Sequence, residues 1–102
     1  MPRPRRRRWV GHEPGVTFFK PRGVPMNCLE EIIISIEEYE ALKLADLQGK
    51  SQNEAAKRMG VSQPTFNRLL SSARKKISGA IVNGKAIKIE GGHYVLTAKK
   101  GE

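Results

Sequence analysis

A chain of 102 residues with 19 Lys and Arg against 10 Asp and Glu carries a formal charge of +9. That length supports one small core and no elaborate active-site cavity, and the charge favours polyanions, so a binding module is expected before an enzyme. Nucleic acid is the first partner class and an acidic membrane surface the second.

Charge is unevenly placed: residues 1–26 carry +6, residues 27–54 carry −5 and residues 55–102 carry +8. The lone cysteine, Cys28, cannot form an internal disulfide, and no apolar run is long enough to cross a bilayer. The arginine-rich start has no apolar stretch behind it and does not read as a secretory signal. A cytoplasmic setting follows as the expectation.

Residues 1–13 read as a basic flexible arm carrying Arg3, Arg5, Arg6, Arg7 and Arg8, with Trp9 and Val10 the first side chains able to anchor it. Residues 14–97 read as one domain. Pro14, Pro21 and Pro25 with Gly15 and Gly23 rule out a helix there and allow a short strand over Val16 to Lys20. Leu29 to Ile36 alternates enough β-branched residues for another. Ser35 with Glu38 makes a capping box, so a helix is expected from Ile36 to about Gln48, ending at Gly49. Its inward stripe is Ile36, Tyr39, Leu42 and Ala45, widened by Leu44 and Leu47.

Ser51 with Glu54 is a second capping box for a helix that stops at Gly60. Ser62 caps a longer third helix, with Pro64 in its first turn, an inward stripe of Phe66, Leu69, Leu70, Ala73 and Ile77, and a stop at Asn83-Gly84. Two short strands, 86–90 and 93–97, flank Gly91-Gly92 and predict a β-hairpin, before a loose tail over 98–102. The fold class expected is mainly α: a three-helix, helix-turn-helix core over 35–83, a short N-terminal strand, and a C-terminal hairpin over 86–97.

The stretch from Gln52 to Ser71 meets the demands of a helix-turn-helix. Ala56 is small where the helices approach, Gly60 tolerates positive φ in the turn, and Ala55, Met59, Val61, Phe66 and Leu69 can lock the pair. The competing reading is a helical hairpin that binds no DNA. Facing away from the stripe of the third helix are Gln63, Thr65, Asn67, Arg68, Ser71, Ser72 and Lys75. Gln63, Asn67 and Arg68 suit base edges, since amides pair bidentately with adenine and guanidinium with guanine. Ser62, Thr65, Ser71, Arg74, Lys75 and Lys76 suit phosphates, although a solvated helix end would carry the last three equally well. The arm arginines suit phosphates or a minor groove, or merely solubility.

Cys28, His12 and His93 share no ligand spacing, so no metal or cofactor is expected, and Cys28 reads as a small hydrophobe opening a strand. Glu30, Glu31, Glu37, Glu38 and Glu40 lack a nucleophile or phosphate loop beside them. They read mostly as a solvated helix face, free to meet a partner protein.

The segments MPRPRRRRWV, FFKPRGVP, LEEIIISIEEYEALKLADLQGKSQNEAAKRMGVSQPTFNRLLSSARKKI and NGKAIKIEGGHY together resemble uncharacterised protein family 0251, also known as domain of unknown function 134. The likeness runs from Met1 to about Leu96. Its helical part resembles region 4 of bacterial sigma factors. The resemblance implies a predicted DNA-binding protein and a prokaryotic regulator. Family members often carry further cysteines near the N-terminus where this chain has arginines, so no metal role carries over.

The function expected is sequence-specific double-stranded DNA binding in transcriptional regulation, without catalysis and possible as a homodimer. The alternatives are an adaptor that contacts RNA polymerase, as a sigma-region-4 mimic would, and a structured-RNA binder. The C-terminal strands would form either a wing or a dimer contact.

Overall fold

Three serines set the helical frame of the computed structural model, which describes residues 8–96. Ser35 Oγ accepts the Glu38 amide at 3.1 Å and Glu38 Oε1 accepts the Ser35 amide at 2.9 Å, the reciprocal pair that starts helix α1, Ile36–Leu42. Past Leu42 the helix widens into a π turn, Lys43–Leu47, in which the Gln48 amide reaches back to the Lys43 carbonyl at 2.9 Å. The wider turn takes later side chains off the 3.6-residue register. Leu47, expected on the buried stripe, therefore points into solvent.

Helix α2, Gln52–Met59, starts at Ser51, whose hydroxyl accepts the Glu54 amide at 3.1 Å. Only that half of the expected capping box forms. The Glu54 carboxylate faces Lys50 and Arg58 instead. Ser62 starts α3, Gln63–Asn83, and Gly84 closes it in the left-handed region at φ 67°.

Five short strands accompany the three helices among the described residues: β1 Arg8–Val10, β2 Phe18–Phe19, β3 Glu31–Ile34, β4 Ala86–Ile89 and β5 Tyr94–Leu96. The chain is thus a helical core carrying two small sheets, with more strand structure than a mainly α reading anticipates. The C-terminal hairpin does not form. β4 lies between β2, antiparallel, and β3, parallel, so both of its hydrogen-bonding edges are taken. β5 pairs instead with β1, parallel, in the register Arg8 to Tyr94. Gly91 and Gly92 have positive φ, but they carry the chain past the start of α1, where the Gly91 carbonyl accepts the Ile36 amide at 3.0 Å.

β1 also moves the boundary of the N-terminal arm, because Val10 is fully buried and Arg8 is part of a sheet. Arg3, Arg5, Arg6 and Arg7 lie outside the described residues, as does the expected tail over 98–102.

The core has two parts. One joins α1, α2 and α3 through Ala41, Leu44, Ala55, Met59, Phe66 and Leu70. The other joins the sheets to α1 through Val10, Ile34, Ile36 and Ile89. Between them α1 is enclosed on nearly all sides, and Glu37, Glu38 and Glu40 are buried at 4–5% exposure. These three were expected on a solvated face open to a partner protein. Packing of β1, β5 and α3 around α1 covers them, and each is held by hydrogen-bond donors, as buried carboxylates require. Cys28 also departs from expectation, sitting exposed in a 3-10 turn, Met26–Cys28. Among the described residues no helix is long and apolar enough to cross a membrane.

Candidate nucleic-acid interface

The join between α2 and α3 is fixed by backbone geometry and close packing. Gly60 adopts φ 68°, a left-handed conformation that costs other residues about 1–2 kcal/mol. The Val61 amide then bonds to the Ala56 carbonyl at 3.0 Å. A Cβ at Gly60 would also stand in tight contact with the Trp9 indole of β1, at 3.1 Å. Ala55, Ala56, Met59 and Phe66 are buried beneath the join, with Val61 and Leu69 packed at its edge.

On the face of α3 away from the core, Gln63, Arg68, Ser71 and Lys75 are exposed. Arg68 Nη2 donates to Thr65 Oγ1 at 3.3 Å, and Ser62 Oγ, besides capping the helix, donates to the same oxygen at 3.0 Å. Asn67 differs from its expected neighbours on this face. It is half-buried, and its Oδ1 is shielded from solvent with no hydrogen-bond partner, so Asn67 would have to turn its amide outward to reach a base.

Two of the expected phosphate contacts already hold the fold together. Arg74 makes a two-pronged pair with Asp46 on the π turn, at 3.0 and 2.6 Å, which holds the Asp46 carboxyl below its ordinary range and raises Arg74. Lys76 Nζ donates to Glu38 Oε1 at 2.9 Å. Ser72, expected among the outward residues, donates to Glu38 Oε2. Burial alone would raise the Glu38 carboxyl, but bonds from Ser72, the Ser35 amide and Lys76 outweigh it and hold Glu38 below the ordinary value of 4.5.

Arg8, expected in the flexible arm, is instead held by Glu37. Its Nη1 lies 2.5 Å from Glu37 Oε2, while Glu37 Oε1 accepts the His93 amide at 3.0 Å. Glu40 completes the row: its Oε2 accepts the Gly11 amide at 3.3 Å. Lys43 Nζ stands 3.0 Å from Oε1 but off the line of a hydrogen bond, which makes that contact coulombic. A cleft of about 360 Å3 is lined by Arg8, Glu38, Thr65, Arg68, Leu69 and Ser72. Arg8 therefore stands beside the Thr65 and Arg68 side of α3.

Sequence reasoning missed Glu37, Glu38 and Ser72 as positioning residues. The capping box revealed one role of Glu38, but its second oxygen meets a residue 34 positions away, which no local pattern announces. Among the described residues no three His, Cys, Asp or Glu side chains converge as a metal site, and His12, Cys28 and His93 stand apart from any such group.

Fold and surface together define a small three-helix protein with two minor sheets and a polar, cationic face on its longest helix. The chain belongs to the family described as protein of unknown function DUF134, whose model matches residues 1–97. It is 57% identical over 94 residues to a UPF0251 protein of Caldanaerobacter subterraneus, covering 92% of this chain and 80% of that one. A UPF0251 protein of Thermoanaerobacter pseudethanolicus matches to the same extent. One from Moorella thermoacetica is 54% identical over 100 residues, covering 98% of this chain and 67% of its own. No solved structure matches the chain.

Proposed function

We propose that this protein is a sequence-specific double-stranded DNA-binding protein of the helix-turn-helix kind, a cytoplasmic prokaryotic transcriptional regulator that binds and does not catalyse. One observation carries the reading: α2 and α3 are locked through left-handed Gly60 so that Gln63, Arg68, Ser71 and Lys75 stand in solvent on one face of α3. Arg68 and Gln63 would read base edges in the major groove, with Asn67 joining them if its amide turns out. Ser71, Lys75 and the Ser62 and Thr65 hydroxyls would hold phosphates, and the arm would follow the backbone from the Arg8 side.

The +9 charge supports a polyanion partner, and the burial of Glu37, Glu38 and Glu40 removes the acidic face that would oppose one. Selection of ligands from a random duplex pool tests the proposal. An enriched motif is the expected result. Salt-sensitive binding with no motif would shift the reading to a nonspecific or RNA-binding protein.

A further inference from the structure

We propose that strand β1 belongs to the DNA-binding surface, with Trp9 lying on the sugar–phosphate backbone beside α3, its indole N–H donating to a phosphate and Lys57 adding charge on the same edge. The inference rests on the DNA-binding reading and adds to it an element outside the two helices that carry it.

Trp9 is placed at the turn of the helix pair. A Cβ built on Gly60 would stand 3.1, 3.3 and 3.3 Å from Cδ2, Cε2 and Cε3 of the indole, near-equal distances that put the face of the ring against the glycine. Ser62, the cap of α3, follows two residues later. In a helix-turn-helix the first helix crosses the DNA backbone and the second enters the major groove by its amino-terminal residues, so the turn between them stands at the lip of the groove, where the phosphates run. Arg8, the neighbour of Trp9 in β1, shares a cleft with Thr65 and Arg68 of α3.

Packing on Gly60 uses only part of the side chain. A tryptophan that serves a core alone is covered, and its N–H finds an acceptor. Trp9 is 47% exposed, and among the described residues its indole N–H has no hydrogen-bond acceptor. Its neighbours hold it in place: Arg8 is paired with Glu37, Val10 is fully buried, and the Gly11 amide donates to Glu40 Oε2 at 3.3 Å. An exposed aromatic tied down on both sides loses little freedom when a partner covers it.

The chemistry of this edge selects a polyanion. Lys57 lies one turn before Gly60 on α2, is exposed, and its ammonium meets no acidic group among the described residues. Glu37 and Glu40, the carboxylates that hold β1, are buried and oppose nothing at the surface. An indole N–H can only donate, so the group it meets must accept, and a phosphate oxygen suits both it and an unpaired ammonium.

Trp9 is the only tryptophan, so intrinsic emission reports it alone. The full chain is mixed at low salt with a short labelled DNA duplex of random sequence, binding being followed by anisotropy of the label and Trp9 by acrylamide quenching of its emission. Bound duplex is expected to lower the quenching constant. Trp9→Phe, which keeps a ring against Gly60 and removes the N–H, should weaken binding by about threefold to tenfold at unchanged helical content. Lys57→Gln should flatten the slope of log K against log salt by about 1. Bound duplex that leaves the quenching constant unchanged, or Trp9→Phe with wild-type affinity, would overturn the contact and leave the DNA-binding reading standing. No binding of the duplex even at low salt would overturn both.

Discussion

Lys76 on α3 donates to the buried Glu38 carboxylate on α1 at 2.9 Å, and Ser72, one turn earlier, donates to its other oxygen. The residue that caps α1 therefore also fixes the rotation of α3. That rotation decides which side chains α3 presents to solvent, so a local helix signal and the candidate interface are linked through one carboxylate.

Glu38→Gln should cost about 1–3 kcal/mol at neutral pH, because it removes charge-assisted bonds from a buried site. The pH dependence has a definite sign. The folded carboxyl sits below its ordinary value of 4.5, so its stabilisation is complete above that value and is lost as pH falls through the folded one. Thermal unfolding followed by circular dichroism should show the wild type weakening in acid more steeply than Glu38→Gln. Parallel acid slopes for the two proteins would contradict the role given to Glu38.

Gly60→Ala should destabilise more than Gly84→Ala. Both sites have positive φ, costing about 1–2 kcal/mol for alanine, but only at Gly60 would the new methyl meet an indole, that of Trp9. In a double-mutant cycle by denaturant unfolding, Gly60→Ala and Trp9→Ala should couple by at least about 0.5 kcal/mol, while Gly84→Ala and Trp9→Ala should add.

Under the proposed function, three cations on α3 should behave differently. Lys75→Ala should flatten the slope of log K against log salt by about 1, uniformly across sequences. Arg74→Ala should flatten it less, because Asp46 already neutralises Arg74. Arg68→Ala should cost about 1–3 kcal/mol on the preferred site and relax discrimination at one base pair. Equal loss on all sequences for Arg68→Ala would move Arg68 to the phosphates.

The arm and its root should separate. Removing residues 1–7, which takes away Arg3, Arg5, Arg6 and Arg7, should lower DNA affinity and flatten the salt slope. Arg8→Ala should lower the melting temperature, by about 1–3 kcal/mol of stability, because it strips Glu37 of its charged partner. A stable Arg8→Ala variant would return Arg8 to the arm.

By itself the sequence determined the helices. Ser35, Ser51 and Ser62 start them, and Gly60 and Gly84 stop α2 and α3, through bonds to residues three or four positions away, and such signals are written locally; the π turn that follows α1 is not among them. It likewise marked Phe66, Leu70 and Ala73 as the inward stripe, which left Gln63, Arg68, Ser71 and Lys75 on the outside. Tertiary structure alone decided the strand partners and the fate of the charges. A Gly-Gly pair between two short apolar runs favours a hairpin locally, yet β4 gains more by lying between β2 and β3, where Ile87 and Ile89 join the second core. Glutamates on a helix read as solvated until β1, β5 and α3 close over them, and only then do Arg8, Ser72 and Lys76 become their partners. Strand pairing and charge burial both depend on residues dozens of positions apart, whose meeting is set by packing of the whole chain and not by any neighbouring pattern.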